Sequence, residues 1–201
     1  MFGKRPSELT PDDIDRVVSE QVQEGSQVEC KGTLPAKGSA VDPWVSGRDH
    51  VGEFARNKLV EEVIAFANAY GGWLLVGIEE TREKPARASA LVPIRDCAEL
   101  AERLRLMCRD CIEPTLPILE VAGVAMETDR AGVVVFHVPK SRMAPHRHTV
   151  TKECYIRRAD RTEKMTMREV QDLTLQVERG LAAIERQFQK QRQQFGPHYE
   201  A

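Results

Sequence analysis

The stretch Leu59-Val60-Glu61-Glu62-Val63-Ile64-Ala65-Phe66-Ala67-Asn68-Ala69-Tyr70-Gly71-Gly72-Trp73-Leu74-Leu75-Val76-Gly77-Ile78-Glu79-Glu80 changes its hydrophobic period halfway. Leu59, Val60, Val63, Ile64 and Ala67 recur at helical spacing, in a segment that begins near Glu53 and runs to Tyr70. Gly71-Gly72 ends that helix. Trp73 to Ile78 is then a continuous apolar run bounded by glycines, the pattern of a strand covered on both faces. Glu79 and Glu80 sit at its carboxyl end. A helix feeding directly into a buried strand makes the chain an α/β protein.

The same reading extends in both directions. Upstream, Thr10-Pro11-Asp12-Asp13 offers an N-cap, a proline in the first turn and an acid three residues on. Ile14, Val17, Val18 and Val22 then form one helical stripe, with Gly25 as its stop. Ser26 to Lys31 alternates like a short strand. Residues 32–52 hold Gly32, Pro35, Gly38, Pro43, Gly47 and Gly52 and read as a long loop, a kind of segment that often carries function. Downstream, 81–95 reads as loop and Cys97–Cys111 as a helix with Leu100, Leu104 and Met107 inward. Pro114 and Pro117 break the chain. Ile118–Met126 and Val133–Val138 look like an antiparallel pair joined across Asp129-Arg130-Ala131-Gly132, and Glu153–Arg157 like another short strand. Thr166-Met167-Arg168-Glu169 is a capping box opening a final helix with Val170, Leu173, Val177, Leu181, Ile184 and Phe188, polar from about Gln189. The expectation is one mixed α/β domain with a helix at each end.

Composition narrows the function. The chain has 201 residues, 41% hydrophobic and 30% charged, and a net charge of −2, which describes a globular domain large enough to need no staples. No apolar run approaches the length of a membrane span, and no apolar segment follows Met1–Pro6 as a secretory signal requires. Five cysteines at irregular spacing (Cys30, Cys97, Cys108, Cys111, Cys154) fit a reduced, cytoplasmic protein. The charge is unevenly spread. Residues 1–30 carry seven acids against three bases, whereas 140–168 carry nine bases against three acids, with His146 and His148 in reserve. Lys140, Arg142, Arg147, Lys152, Arg157, Arg158 and Arg161 are therefore candidates to face a polyanion, the alternative being a merely solvated face. Tyr155 is the main aromatic in that block, so base stacking is expected to be minor.

The chemical candidates are carboxylates. In Glu29-Cys30-Lys31 a strand places Glu29 and Lys31 on one face, a pairing suited to metal-dependent phosphodiester chemistry. The tripeptide is common by chance. It gains weight from Glu24 just upstream and from Glu79 and Glu80 at the end of the buried strand, where α/β folds place their sites. Three carboxylates and a lysine suffice for Mg²⁺ or Mn²⁺. Gly72 and Gly77 have the spacing of a phosphate-binding loop, but Ile78 stands where such a loop needs Lys, so ATP binding is not expected. Cys108 and Cys111 with His146 and His148 number four zinc ligands, a reading disfavoured by the lack of a second C-x-x-C. His137, inside a strand, reads as structural, and no G-x-S-x-G marks a serine hydrolase.

Taken in order, Glu24–Lys31, Ala65–Glu80, Ile112-Glu113-Pro114, Val138-Pro139-Lys140-Ser141 and Tyr155-Ile156-Arg157 resemble the Alba-like domain of the Schlafen family. The resemblance spans roughly 13–175, leaving an N-terminal arm (1–12) and a helical extension with a polar tail (176–201). It implies a single Alba-like domain, a mixed sheet packed by helices, that binds nucleic acid. Some Schlafen members are metal-dependent endoribonucleases acting on tRNA and other structured RNA through an acidic triad. That triad maps to Glu24, Glu29 and either Glu79 or Glu80, with Lys31 offsetting charge. Two departures stand out: Glu replaces the usual Asp after the second strand, and Cys30 replaces an aromatic. The resemblance also implies structural roles for Ala65–Asn68 and Gly71–Gly77. Because Schlafen cores pair two such modules, a single copy suggests a homodimer, with the helix from Thr166 as one interface. Two other readings remain open: a non-catalytic DNA- or RNA-binding regulatory module, and an oligomerising interaction module.

Overall fold

The computed structural model describes residues 3–126 and 130–195. Its elements are a 3₁₀ turn Pro6–Glu8, α1 Pro11–Ser19, β1 Val28–Lys31, α2 Glu53–Asn68, β2 Gly71–Val76, β3 Ile78–Glu80, β4 Ala88–Leu91, α3 Cys97–Cys111, β5 Ile112–Glu113, β6 Glu120–Ala125, β7 Gly132–Pro139, β8 Arg147–His148, β9 Tyr155–Arg158, β10 Arg161–Lys164 and α4 Met167–Phe195. The expected mixed α/β architecture is present. A four-stranded sheet runs β1-β2-β7-β6, with β1 parallel to β2 and the other two pairings antiparallel. Three two-stranded pieces, β3-β4, β5-β8 and β9-β10, surround it.

Period-2 alternation divides the central strands between two cores. Leu74 and Val76 of β2, with Val134, Phe136 and Val138 of β7, face α2 and α3, meeting Leu59, Val63, Phe66, Leu100 and Leu104. Trp73 and Leu75, with Val133 and Val135, face the other way onto Ile14 and Val17 of α1 and onto Cys30 and Ala88. The buried run at 73–78 is thus explained, but it is two strands. Gly77, at φ +113°, breaks the line, so β2 stays in the main sheet while β3 turns to pair with β4. Only glycine adopts that angle without strain.

Other boundaries shift for local reasons. α1 ends at Ser19, ahead of Gly25, because Gln21 takes a left-handed conformation (φ 49°). At its start the Thr10 amide and hydroxyl both donate to the Asp13 carboxylate. The expected loop 81–95 contains β4. The long loop 32–52 is pinned by buried Trp44, whose indole N–H donates to the Arg95 carbonyl (3.1 Å), while Asp42 accepts from the amides of Trp44 and Gly52. The strand near 153–157 is one arm of the β9-β10 hairpin. The β6-β7 pair forms as read, although Asp129 of its connection lies outside the described residues. α4 continues through Gln189 to Phe195. Among the described residues no helix is long and apolar enough to cross a membrane. All five cysteines are free thiols.

Candidate active site and nucleic-acid face

Strand alternation sends Cys30 into the α1-side core and turns Glu29 and Lys31 toward α2. There the Lys31 ammonium contacts the Glu29 carboxylate. Burial works against the Lys31 charge, but the carboxylates of Glu29, Glu62 and Glu24 override it and raise its pKa. Glu62, one helical turn before Phe66, enters the same space from α2. Burial, with Glu29 next, raises the Glu62 carboxyl.

Arg157 closes this cluster. The sequence placed it among the polyanion-facing cations, but β9 brings it inside the protein, 2% exposed. Its guanidinium pairs with Glu29 and, at 3.0 Å, with Glu62, donates to the Gly25 carbonyl (3.1 Å) and lies 5.2 Å over the Phe66 ring. Arg157 therefore belongs to the acidic site, joining β1, α2 and the β9-β10 hairpin, and is not a surface cation. A strand of alternating side chains next to a helix at covering distance offered no sequence signal for this placement.

A second cluster lies beside the first. Glu24 is 5% exposed, and one oxygen accepts the Cys30 amide at 2.8 Å. Its position is set by edge pairing: the Glu24 amide donates to the Ala86 carbonyl, and Gln23 bridges to Arg87. Across the β3-β4 hairpin, a register shift between Glu79 and Glu80 re-aims these two acids. Glu80 stands beside the Glu24 carboxyl and acts on its charge. Glu79 instead lies over Gly32, and its carbonyl accepts from Ser89. The structure thus joins Glu24 to Glu80. Burial, the neighbouring Glu80 and the charge of Glu29 push the Glu24 carboxyl up to about 8. The same acids, after burial, push the Cys30 thiol up to about 12, which keeps it protonated and unreactive.

A buried carboxyl held protonated beside a second carboxyl is an arrangement that a divalent cation relieves, so the Glu24–Glu80 donor set fits Mg²⁺ or Mn²⁺ in kind. Glu29 is committed to Lys31 and Arg157. Accordingly, among the described residues no three His, Cys, Asp or Glu side chains stand together as a ready metal group. The cysteine–histidine set is dispersed into the core. Cys108 is buried, and His146 has both ring nitrogens occupied, by the Pro114 carbonyl and the Ser141 hydroxyl, each at 2.6 Å. The His148 Nδ1 accepts the Val150 amide.

Lys140, Arg142, Arg147, Lys152, Arg158 and Arg161 are exposed. Several are partly neutralised: Arg147 and Lys152 by Glu113, and Arg158 by Glu163 and Glu169. Tyr155 is 4% exposed and donates to Glu61, so it offers no stacking face. An exposed aromatic does stand beside the basic segment: Tyr70, 65% exposed, with the Lys140 ammonium 5.8 Å from its ring. Sequence reading missed Tyr70 because it took the helix to run through that residue, whereas α2 ends at Asn68 and Tyr70 lies exposed in the turn that follows. It also missed the detail of Asn68, whose amide donates to the carbonyls of His146 and Tyr155 (both 2.9 Å) and accepts the His146 amide (2.7 Å). Asn68 fastens the basic segment to α2. His137 is structural, stacked on Trp73 and bonded to Glu120.

The fold is similar to two solved structures. One is the DIP2311 protein of Corynebacterium diphtheriae, at 20% identity and a TM-score of 0.46, matched over 76% of this chain but 25% of that one. The other is the N-terminal domain of an ATP-dependent DNA helicase RecG-related protein of Nitrosomonas europaea, at 18% identity and a TM-score of 0.45, matched over 79% of this chain and 94% of that domain. This chain therefore spans a quarter of the DIP2311 chain. No curated protein matches it significantly. The Schlafen AlbA_2 family model matches residues 24–166, from Glu24 through the capping Thr166. That span includes every element of the acidic site and of the basic segment, and it suggests a nucleic-acid-related function. By that match over more than half of its length, the chain belongs to the Schlafen AlbA_2 family.

Proposed function

We propose that this protein binds structured RNA, such as tRNA, and cleaves its backbone in a divalent-metal-dependent reaction. The observation that carries the reading is the burial of Glu24 beside Glu80, with Glu29 nearby, which holds the Glu24 carboxyl at about 8. Clustered, desolvated acids oppose folding, and such perturbed groups concentrate at functional sites. Glu24 and Glu80 would hold Mg²⁺ or Mn²⁺. When bound, the cation supplies Lewis acidity and a more acidic water or ribose hydroxyl. Lys31, 28% exposed and in contact with Glu29, would offset charge developing on phosphate. Arg157 fixes the Glu29 carboxylate and, with Glu62, keeps that wall rigid. Lys140, Arg142, Arg147, Lys152 and Arg161 would hold the phosphates by charge neutralisation, so binding weakens steeply with salt. Recognition by shape fits this set better than base reading.

One observation favours a second reading. Glu29 is already paired on both oxygens, as in a structural ion-pair network, which suits a binding module without catalysis. Cleavage of total tRNA and of a labelled DNA duplex, in Mn²⁺, Mg²⁺ or EDTA, separates the two. Glu80→Gln is the informative variant because Glu80 is exposed and its loss spares the Arg157 network. Metal-dependent RNA cutting that falls at least about 100-fold in Glu80→Gln, with binding retained, supports the nuclease. Salt-sensitive binding with no cutting in any metal leaves the binding module.

A further inference from the structure

α4 runs 29 residues, about 44 Å at 1.5 Å per residue. Val170, Leu173, Val177, Ile184 and Phe188 fall within about 60° of one another around it, a narrow stripe of the width two paired helices share. In its first half Val170, Leu173 and Val177 are half-buried, and the last two line an open groove of about 410 Å³ whose other wall is Lys140–Arg142. Its second half is bare: Ile184 is 56% and Phe188 62% exposed. Near the middle, Gly180 has nothing within 4 Å of the position a Cβ would take, so another backbone can come close.

Charge names the occupant. Residues 168–178 carry Glu169, Asp172 and Glu178 against Arg168, a net −2. Residues 179–192 carry Arg179, Arg186, Lys190 and Arg192 against Glu185, a net +3. A parallel pair would set like charge beside like. An antiparallel pair sets the acidic half of each helix along the basic half of the other, and opposes the helix dipoles favourably as well. We infer that α4 is a dimerisation helix that pairs antiparallel with α4 of a second copy, closing its apolar stripe over Gly180.

Sedimentation equilibrium of the full chain tests this, with circular dichroism confirming that each variant stays folded. The wild type should dimerise, and Ile184→Asp with Phe188→Asp should leave a folded monomer. Lys190→Glu with Arg192→Glu should weaken the dimer at least about tenfold, and adding Asp172→Lys and Glu178→Lys to that chain should restore it. A wild type that stays monomeric overturns the inference, the stripe then lying against its own body. So does a dimer that survives the two aspartates, or one indifferent to the Lys190/Arg192 reversal, since a parallel or unrelated interface would not respond.

Discussion

Glu24→Gln should stabilise this protein above neutral pH and do little below pH 4.5. The ordinary glutamate value is 4.5, and burial beside Glu80 and Glu29 raises Glu24 to about 8. Below 4.5 both folded and unfolded chains hold the proton, so the group is neutral in its effect. Between 4.5 and about 8 the unfolded chain ionises while the folded one keeps its proton, and folding loses ground throughout that window. At about 1.4 kcal/mol per unit, the full shift corresponds to roughly 5 kcal/mol. Screening by solvent at the site's edge reduces this to about 2–4 kcal/mol. Glutamine retains the carbonyl oxygen that accepts the Cys30 amide and removes the charge. Urea unfolding from pH 4 to 9 in EDTA, for wild type and Glu24→Gln, reads the difference directly. The variant's advantage should be near zero at pH 4, grow through pH 5–8 and level off at about 2–4 kcal/mol. Adding Mn²⁺ at about 100 times its dissociation constant should stabilise the wild type by about 2.7 kcal/mol and the variant far less. A difference that does not change with pH, or a variant less stable than wild type at pH 8.5, would refute the account of a buried, protonated Glu24.

Further expectations follow from the packing. Arg157→Met leaves Glu62 without its cation and Glu29 with Lys31 alone, and should cost about 3–5 kcal/mol in thermal or urea unfolding, whereas Arg142→Ala, at an exposed site, should leave stability within about 0.5 kcal/mol. Asn68→Ala removes three buried hydrogen bonds to the segment 146–155 and should cost about 2–4 kcal/mol, with faster hydrogen exchange at the His146 amide. Gly72→Ala sets a methyl 2.5 Å from the Phe66 ring and 2.8 Å from the Gln27 carbonyl, so it should destabilise by about 2 kcal/mol or more, read as a lowered midpoint in the same titration. Arg142→Ala with Lys152→Ala should weaken RNA binding uniformly across sequences and flatten the log–log salt dependence by about two, measured by fluorescence anisotropy.

The sequence by itself determined the main helices and the central strands, because hydrophobic period is a local property of the chain. The change of period at Gly71-Gly72, the helix at Cys97–Cys111 and the shared face of Glu29 and Lys31 were all legible on that basis. It also brought Glu24 and Glu29 forward as neighbours of one strand. What it left open depended on contacts between distant segments. Glu79 and Glu80 are adjacent acids with no local feature to choose between them; a β-bulge and the left-handed turn at Gly77 aim Glu80 at Glu24. Arg157 and Arg158 are adjacent arginines in a basic run. The pleat of β9 buries one against Glu29, 128 positions away, and leaves the other in solvent. Tyr155 is buried and Tyr70 exposed for the same reason: burial of a single side chain is decided by what packs over it, and that neighbour comes from elsewhere in the chain.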